Sequence, residues 1–118
     1  MSTPRDPRAL LDDILRATAG IERVVSGKTL DDYESDEDLQ SILERRFTII
    51  GEALKRLERT DAALFQEIPD ARDIIDFRNV LAHGYEVVDT RTVWSAAVED
   101  LPRLVATVIP MLERLDRG

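Results

Sequence analysis

The chain has one histidine, His83, set in the run Arg78-Asn79-Val80-Leu81-Ala82-His83-Gly84-Tyr85. An arginine stands five residues before it and a tyrosine two residues after it. Arginine is permanently charged and presents a planar fork of donors that matches phosphate. Histidine is the side chain that takes or gives a proton near neutral pH without special help. Together they form a minimal kit for metal-free phosphodiester chemistry. Arg78 would hold the scissile phosphate and stabilise charge in the transition state. His83 would act as general base or general acid.

Each of these residues also has a reading without chemistry. His83 reads equally as a helix C-cap, where an imidazolium gains from the helix dipole. Arg78 reads as an exposed ion pair with Asp73 or Glu52, and Tyr85 as a packed loop aromatic. Asn79 could orient the phosphate or His83, or be a surface amide. Glu52 could orient Arg78, or be a solvated charge. Spacing alone leaves these open.

The elements that must position the residues are helical almost throughout, with no sustained strand alternation. The first helix is expected over about 6–26, where Leu10, Leu11, Ile14, Ala17 and Ile21 recur at helical steps. Gly27 is its stop. Residues 28–36 form an acidic connection in which Thr29 caps a short turn. The second helix starts at Ser35 or Asp36 and runs to about 59, with Ser35 and Asp38 as a capping pair. Its interior Gly51, which costs ~1 kcal/mol relative to alanine, marks close approach of another helix. A short helix covers about 61–67, capped by Asp61. The next covers 70–82, with Gly84 as its stop. The last spans 90–116, where Pro102 and Pro110 should bend or split it, and Trp94 belongs to the core. The fold class is therefore all-α: an antiparallel bundle of four long helices plus a short one, as a single domain over 1–118.

Five residues on an ideal helix rotate the chain by roughly 140°. Arg78 and His83 therefore cannot share a face of a straight helix. Either the helix ends at Ala82 and frees His83, or a second copy across a two-fold axis completes the site. The expectation here combines both.

Composition sets the outer limits. The 118 residues suffice for one core, and 24 acidic against 16 basic residues give a formal net charge of −8. That balance opposes broad, tight nucleic-acid coating but leaves room for a local basic site. Such a site is offered by Arg45, Arg46, Lys55, Arg56 and Arg59 on the second helix. The alternative is a solvated face paired with Glu44, Glu52 and Glu58, which is preferred for Arg56 and Arg59. There is no cysteine, so neither disulfides nor thiolate metal sites are available, and no metal or cofactor is expected. No apolar run reaches the ~18–20 residues of a membrane span. Met1 to Arg8 resembles neither a signal nor a transit peptide, which makes the cytoplasm the default location.

The octapeptide around His83 resembles the R-x4-H-x-Y motif of the HepT toxins (the DUF86 group) of the HEPN superfamily. The likeness extends upstream through Ile68-Pro69 and Arg72-Asp73-Ile74-Ile75 and downstream through Val88-Asp89, Val93-Trp94 and Glu99-Asp100-Leu101-Pro102. Arg45-Arg46-Phe47-Thr48-Ile49-Ile50-Gly51-Glu52-Ala53 is similar to the family's second-helix signature. It departs at Asp70-Ala71, where the family commonly carries an aromatic. The resemblance implies a HEPN-like helical bundle that forms a two-fold homodimer with the motif at its interface. It further implies a metal-independent endoribonuclease acting on RNA, not DNA, as the toxin of a type II/VII-like toxin–antitoxin pair. Its partner would be a cognate nucleotidyltransferase antitoxin that silences it by transferring AMP to Tyr85. Arg78 and His83 become the catalytic pair, with Gly51, Glu52 and Asn79 in support.

Two other readings compete. One is a non-catalytic HEPN subunit that binds a nucleotide or serves a nucleotidyltransferase as accessory. The other is a plain helical dimerisation module, for which His83→Ala changes no activity.

Overall fold

The computed structural model describes residues 6–83 and 89–117, with Ala82 and His83 through their backbone alone. Every element in it is a helix. α1 spans Pro7–Val25; Asp6 caps it by accepting the Arg8 N–H at 2.9 Å, and Pro7 fills the first position, where no donor is needed. Gly27, at φ 75°, supplies the left-handed residue after it.

The acidic connection forms more structure than the expected turn. Residues Leu30–Glu34 make a short helix, α2, closed by a reciprocal capping box. Thr29 Oγ1 accepts the Asp32 N–H at 3.1 Å, and Asp32 Oδ2 accepts the Thr29 N–H at 2.9 Å. Tyr33 is buried from this helix, its ring centroid 5.6 Å from that of Trp94. α3, Glu37–Thr60, begins at an Asp36 cap. Ser35 is not its capping residue: the hydroxyl donates back to the carbonyls of Asp31 and Asp32 and closes α2.

α4, Ala62–Gln66, is capped by Asp61. α5 spans Ala71–His83. Before it, Asp70 adopts φ 65°, which Asp tolerates better than most residues, and its carbonyl accepts the Ile74 N–H. Ala71 behind it is buried, so the small residue at this departure from the family pattern fits against the core.

The C-terminal stretch does not split. α6, Thr90–Ser95, passes through a π-helical turn at Ala96–Asp100 into α7, Leu101–Arg117. The Leu101 N–H reaches the Ala96 carbonyl, one residue wider than an α-helical bond. This wide turn comes immediately before Pro102, so the missing donor falls where the ladder is already loosened. Pro110 stays inside α7. Both Pro110 and Ala106, whose carbonyl loses its helical partner, are exposed, which leaves that oxygen open to solvent.

α3 is the central helix, packed against α1, α4 and α5, while α1 also lies along α7. Leu11, Ile14, Leu43, Ile50, Leu54, Leu57 and Val108 are fully buried between them. Each such side chain stabilises the fold by about 1.5–3 kcal/mol relative to exposure. Phe47 of α3 meets Phe77 of α5 with ring centroids 5.0 Å apart, which fixes the register of the two helices that carry the site. No helix of the described residues is long and apolar enough to cross a membrane.

Candidate active site

The site is built at the seam of α3 and α5. Ala71, Ile74 and Ile75 are buried and define the face of α5 turned to α3, while Asp73, Asp76 and Val80 are exposed on the other side and Arg72 lies on the flank. Arg78 starts from the buried face. It fits there because residue 51 is glycine: a Cβ at that position would lie 2.5 Å from the Arg78 Cβ and 2.6 Å from its Cγ. The close approach foreseen for Gly51 is thus occupied by the aliphatic stem of Arg78.

From that slot the guanidinium reaches outward. Its Nη2 donates to Glu52 Oε1 at 3.0 Å and its Nη1 to Asn79 Oδ1 at 3.1 Å. The Arg78 side chain is 20% exposed and Glu52 is 50% exposed. Nε is buried without a hydrogen-bond partner among the described residues. The head group is therefore aimed by one charged and one neutral acceptor while its stem is wedged between helices. Of the two ion-pair partners considered for Arg78, the structure selects Glu52 over Asp73.

The second acid of α3 behaves alike. Glu58 pairs with Arg72 of α5, whose guanidinium also lies 5.5 Å from the centre of the Phe65 ring. Two of the three acids expected to neutralise the arginines of α3 along its own surface, Glu52 and Glu58, are instead taken by α5. Arg46 is a different case, its guanidinium lying over Gly20 of α1, with Nε 3.0 Å from where a Cβ would be.

α5 runs through His83, one residue beyond the expected end at Ala82. Position 83 then falls roughly 140° around the helix from position 78, in line with the exposed Arg72 and Asp76. Asn79 lies one turn before position 83, so it bridges the Arg78 face and the outward face. Tyr85 lies outside the described residues.

The larger hollows lie elsewhere. A groove of about 480 Å³ separates α1 from the π turn, lined by Thr18, Val25, Val98 and Leu101 among others. A second, of about 220 Å³, is lined by Asp70, Asp73 and Asp100 with Arg103, and so repels phosphate. Neither contains Arg78. Among the described residues no group of three or more His, Cys, Asp or Glu side chains is arranged to hold a metal ion.

Comparison with known proteins decides the family. A family model described as "Ribonuclease HepT-like" matches residues 14–111, most of the chain. The chain belongs to the HepT-like family. The "Probable ribonuclease HepT" of Thermococcus cleftensis is 34% identical over 100 residues, covering 85% of this chain and 90% of that protein. A protein of Methanocaldococcus jannaschii named "Gamma-glutamylcyclotransferase and putative RNase" is 31% identical over 114 residues, 97% of this chain. The chain spans about half of that relative's length, 51%. A "Putative RNase" of Caldanaerobacter subterraneus subsp. tengcongensis is 28% identical over 110 residues, 93% of this chain and 97% of that protein. No solved structure matches. For a HepT-like chain, the Arg78 seat at Gly51 was only half visible in the sequence. The helix-interior glycine pointed to a close neighbour, but its identity depends on how α3 and α5 register. Arg72–Glu58 was missed altogether, because it joins helices through a contact that no local spacing encodes.

Proposed function

We propose that this HepT-like protein is a metal-independent endoribonuclease, active as a two-fold homodimer. The observation that carries the reading is the Arg78 guanidinium, wedged at Gly51 and aimed by Glu52 and Asn79. An arginine held this way is pre-organised for a phosphate, since little freedom remains to be lost on binding. The continuity of α5 through His83 supports a site completed by a second copy. Val80, 53% exposed on the outward face, is an apolar residue suited to that contact.

In the dimer, His83 of one copy removes the proton from the ribose 2′-OH. The freed oxygen attacks the adjacent phosphorus as the bond to the 5′-oxygen breaks. His83 of the second copy protonates that leaving oxygen. The products are a 2′,3′-cyclic phosphate and a 5′-OH, and DNA is not cut because it lacks the nucleophile. Arg78 neutralises the phosphoryl oxygens as charge builds. Glu52 and Asn79 position Arg78, and Gly51 makes its seat possible.

The biological role is that of a toxin paired with a nucleotidyltransferase antitoxin. AMP transferred to Tyr85 would place bulk and a phosphate charge beside the motif, occupy Arg78 and repel RNA without unfolding the protein. This part rests on the family's R-x4-H-x-Y motif. The test is RNA cleavage in EDTA by protein expressed without a partner, with Tyr85 shown unmodified by intact mass. Wild type should leave cyclic-phosphate ends and His83→Ala should not cleave. A folded, unmodified wild type that leaves total RNA intact would shift the reading to an accessory or nucleotide-binding HEPN subunit.

A further inference from the structure

We propose that the outer face of α3 is a track for the backbone of single-stranded RNA, with Arg45, Arg56 and Arg59 holding phosphates that flank the one at Arg78. The inference deepens the ribonuclease reading of the same site and rests on it for the identity of the ligand.

On an ideal helix, positions 45, 52, 56 and 59 fall within about 60° of arc. Arg45, Arg56 and Arg59 are all exposed. They extend over about 21 Å of helix axis at 1.5 Å per residue, with Glu52 between them. Glu52 is the acid that would cancel them, yet its carboxylate is engaged by Arg78. Glu58, the neighbouring acid, is engaged by Arg72. With both acids taken by α5, the three arginines have no ion-pair or hydrogen-bond partner among the described residues. A cationic row thus persists on a chain of net charge −8, and it leads directly to the Arg78 head group. Three exposed, unpaired arginines stabilise nothing in the isolated protein, whereas a polyanion laid along them releases counterions.

The chemistry of the row selects the backbone, not the bases. No exposed aromatic lies on α3, since its one aromatic, Phe47, is buried in the core. Base stacking, the usual source of preference in single-strand sites, is therefore absent, and the track tolerates any sequence. Its length suits a strand of a few nucleotides on one side or both sides of the scissile phosphate.

The probe is a 2′-O-methyl RNA 15-mer, which binds but offers no 2′-OH nucleophile, followed by fluorescence anisotropy over a range of salt. The variant is R45Q/R56Q/R59Q, and a control of equal charge change, R23Q/R91Q/R117Q, removes exposed arginines from other helices. Each phosphate contact on a single strand contributes about 0.7 to the slope of log K against log salt. The row variant should lose about two from that slope and weaken binding about tenfold or more, while the control keeps wild-type affinity. R45K/R56K/R59K should retain the slope, and the single variant R59Q, which should lose about 0.7 from it, carries the test if the triple glutamine variant does not fold. Unchanged slope and affinity in the row variant would overturn the track and leave the row to an acidic protein partner. Equal losses in row and control variants, or no binding by wild type, would overturn it too. Binding with the expected slope but no cleavage of an unmodified 15-mer keeps the track and removes the ribonuclease reading.

Discussion

Gly51 and Arg78 pack so closely that one methyl group on residue 51 would overlap the arginine stem, 2.5 Å from its Cβ. Both atoms in that overlap sit close to backbone, so neither can swing away. A glycine that ordinarily weakens a helix here sets the distance between the two helices of the site.

Gly51→Ala should therefore destabilise the protein. Alanine gains about 1 kcal/mol of helix propensity, but overpacking of this kind costs about 1–3 kcal/mol and forces backbone shifts. The net effect on the urea midpoint is a decrease, with activity on RNA falling more steeply because Arg78 is displaced. A raised midpoint would mean that α3 and α5 do not meet at this distance.

Glu52 should act on turnover more than on stability. The Arg78–Glu52 pair is half in solvent on the acid's side, so Glu52→Ala should change stability by less than about 1 kcal/mol. Loss of the acceptor leaves the guanidinium poorly aimed, and kcat should fall about tenfold or more. KM should hold or decrease, because a negative charge beside the phosphate is gone. Glu52→Gln keeps an acceptor oxygen and should recover most of kcat. A rise in KM with kcat intact would assign Glu52 to simple binding.

Much of this fold is legible in residue periodicity, and the limits are physical. Leu39, Leu43, Phe47, Ile50 and Leu54 repeat often enough to specify α3 without its neighbours. α2 is only five residues long, too short for a period, and it is held by burial of Tyr33 against Trp94, sixty-one residues away in the chain. The π turn is equally silent, since only Pro102 hints that the ladder must loosen there. Charge was the hardest to read. Spacing along α3 assigns Glu52 and Glu58 to its own arginines, yet partners on α5 hold both acids.

Tyr33 gives the fold an alkaline limit. Burial pushes its phenol up to about 12 from the usual value of 10.0, with the negative Glu44 adding to the effect. The sign follows from linkage: the folded state keeps a proton that the unfolded chain releases above about 10. Stability from this group is complete below pH 10 and is lost progressively as pH rises through 12. Tyr33→Phe should flatten the decline in urea midpoint over that window. An equally steep decline in the phenylalanine variant would place the titrating group elsewhere.

Complementation between inactive variants tests the two-copy site most directly. With α5 continuous through His83, positions 78 and 83 lie on opposite sides of one helix. If each site takes Arg78 from one copy and His83 from the other, mixed dimers of Arg78→Ala and His83→Ala contain one complete Arg–His pair. Random re-association makes half of the molecules heterodimers with one of two such pairs intact, so about a quarter of wild-type activity should return. That quarter is an upper bound: because the proposed mechanism uses both histidines, as base and acid, recovery should fall below it and show a flattened pH–rate profile, with one proton transfer left to water. If both residues of a site come from the same copy, no mixed dimer holds a complete pair. Activity then stays at the level of the separate variants, and the shared site is refuted.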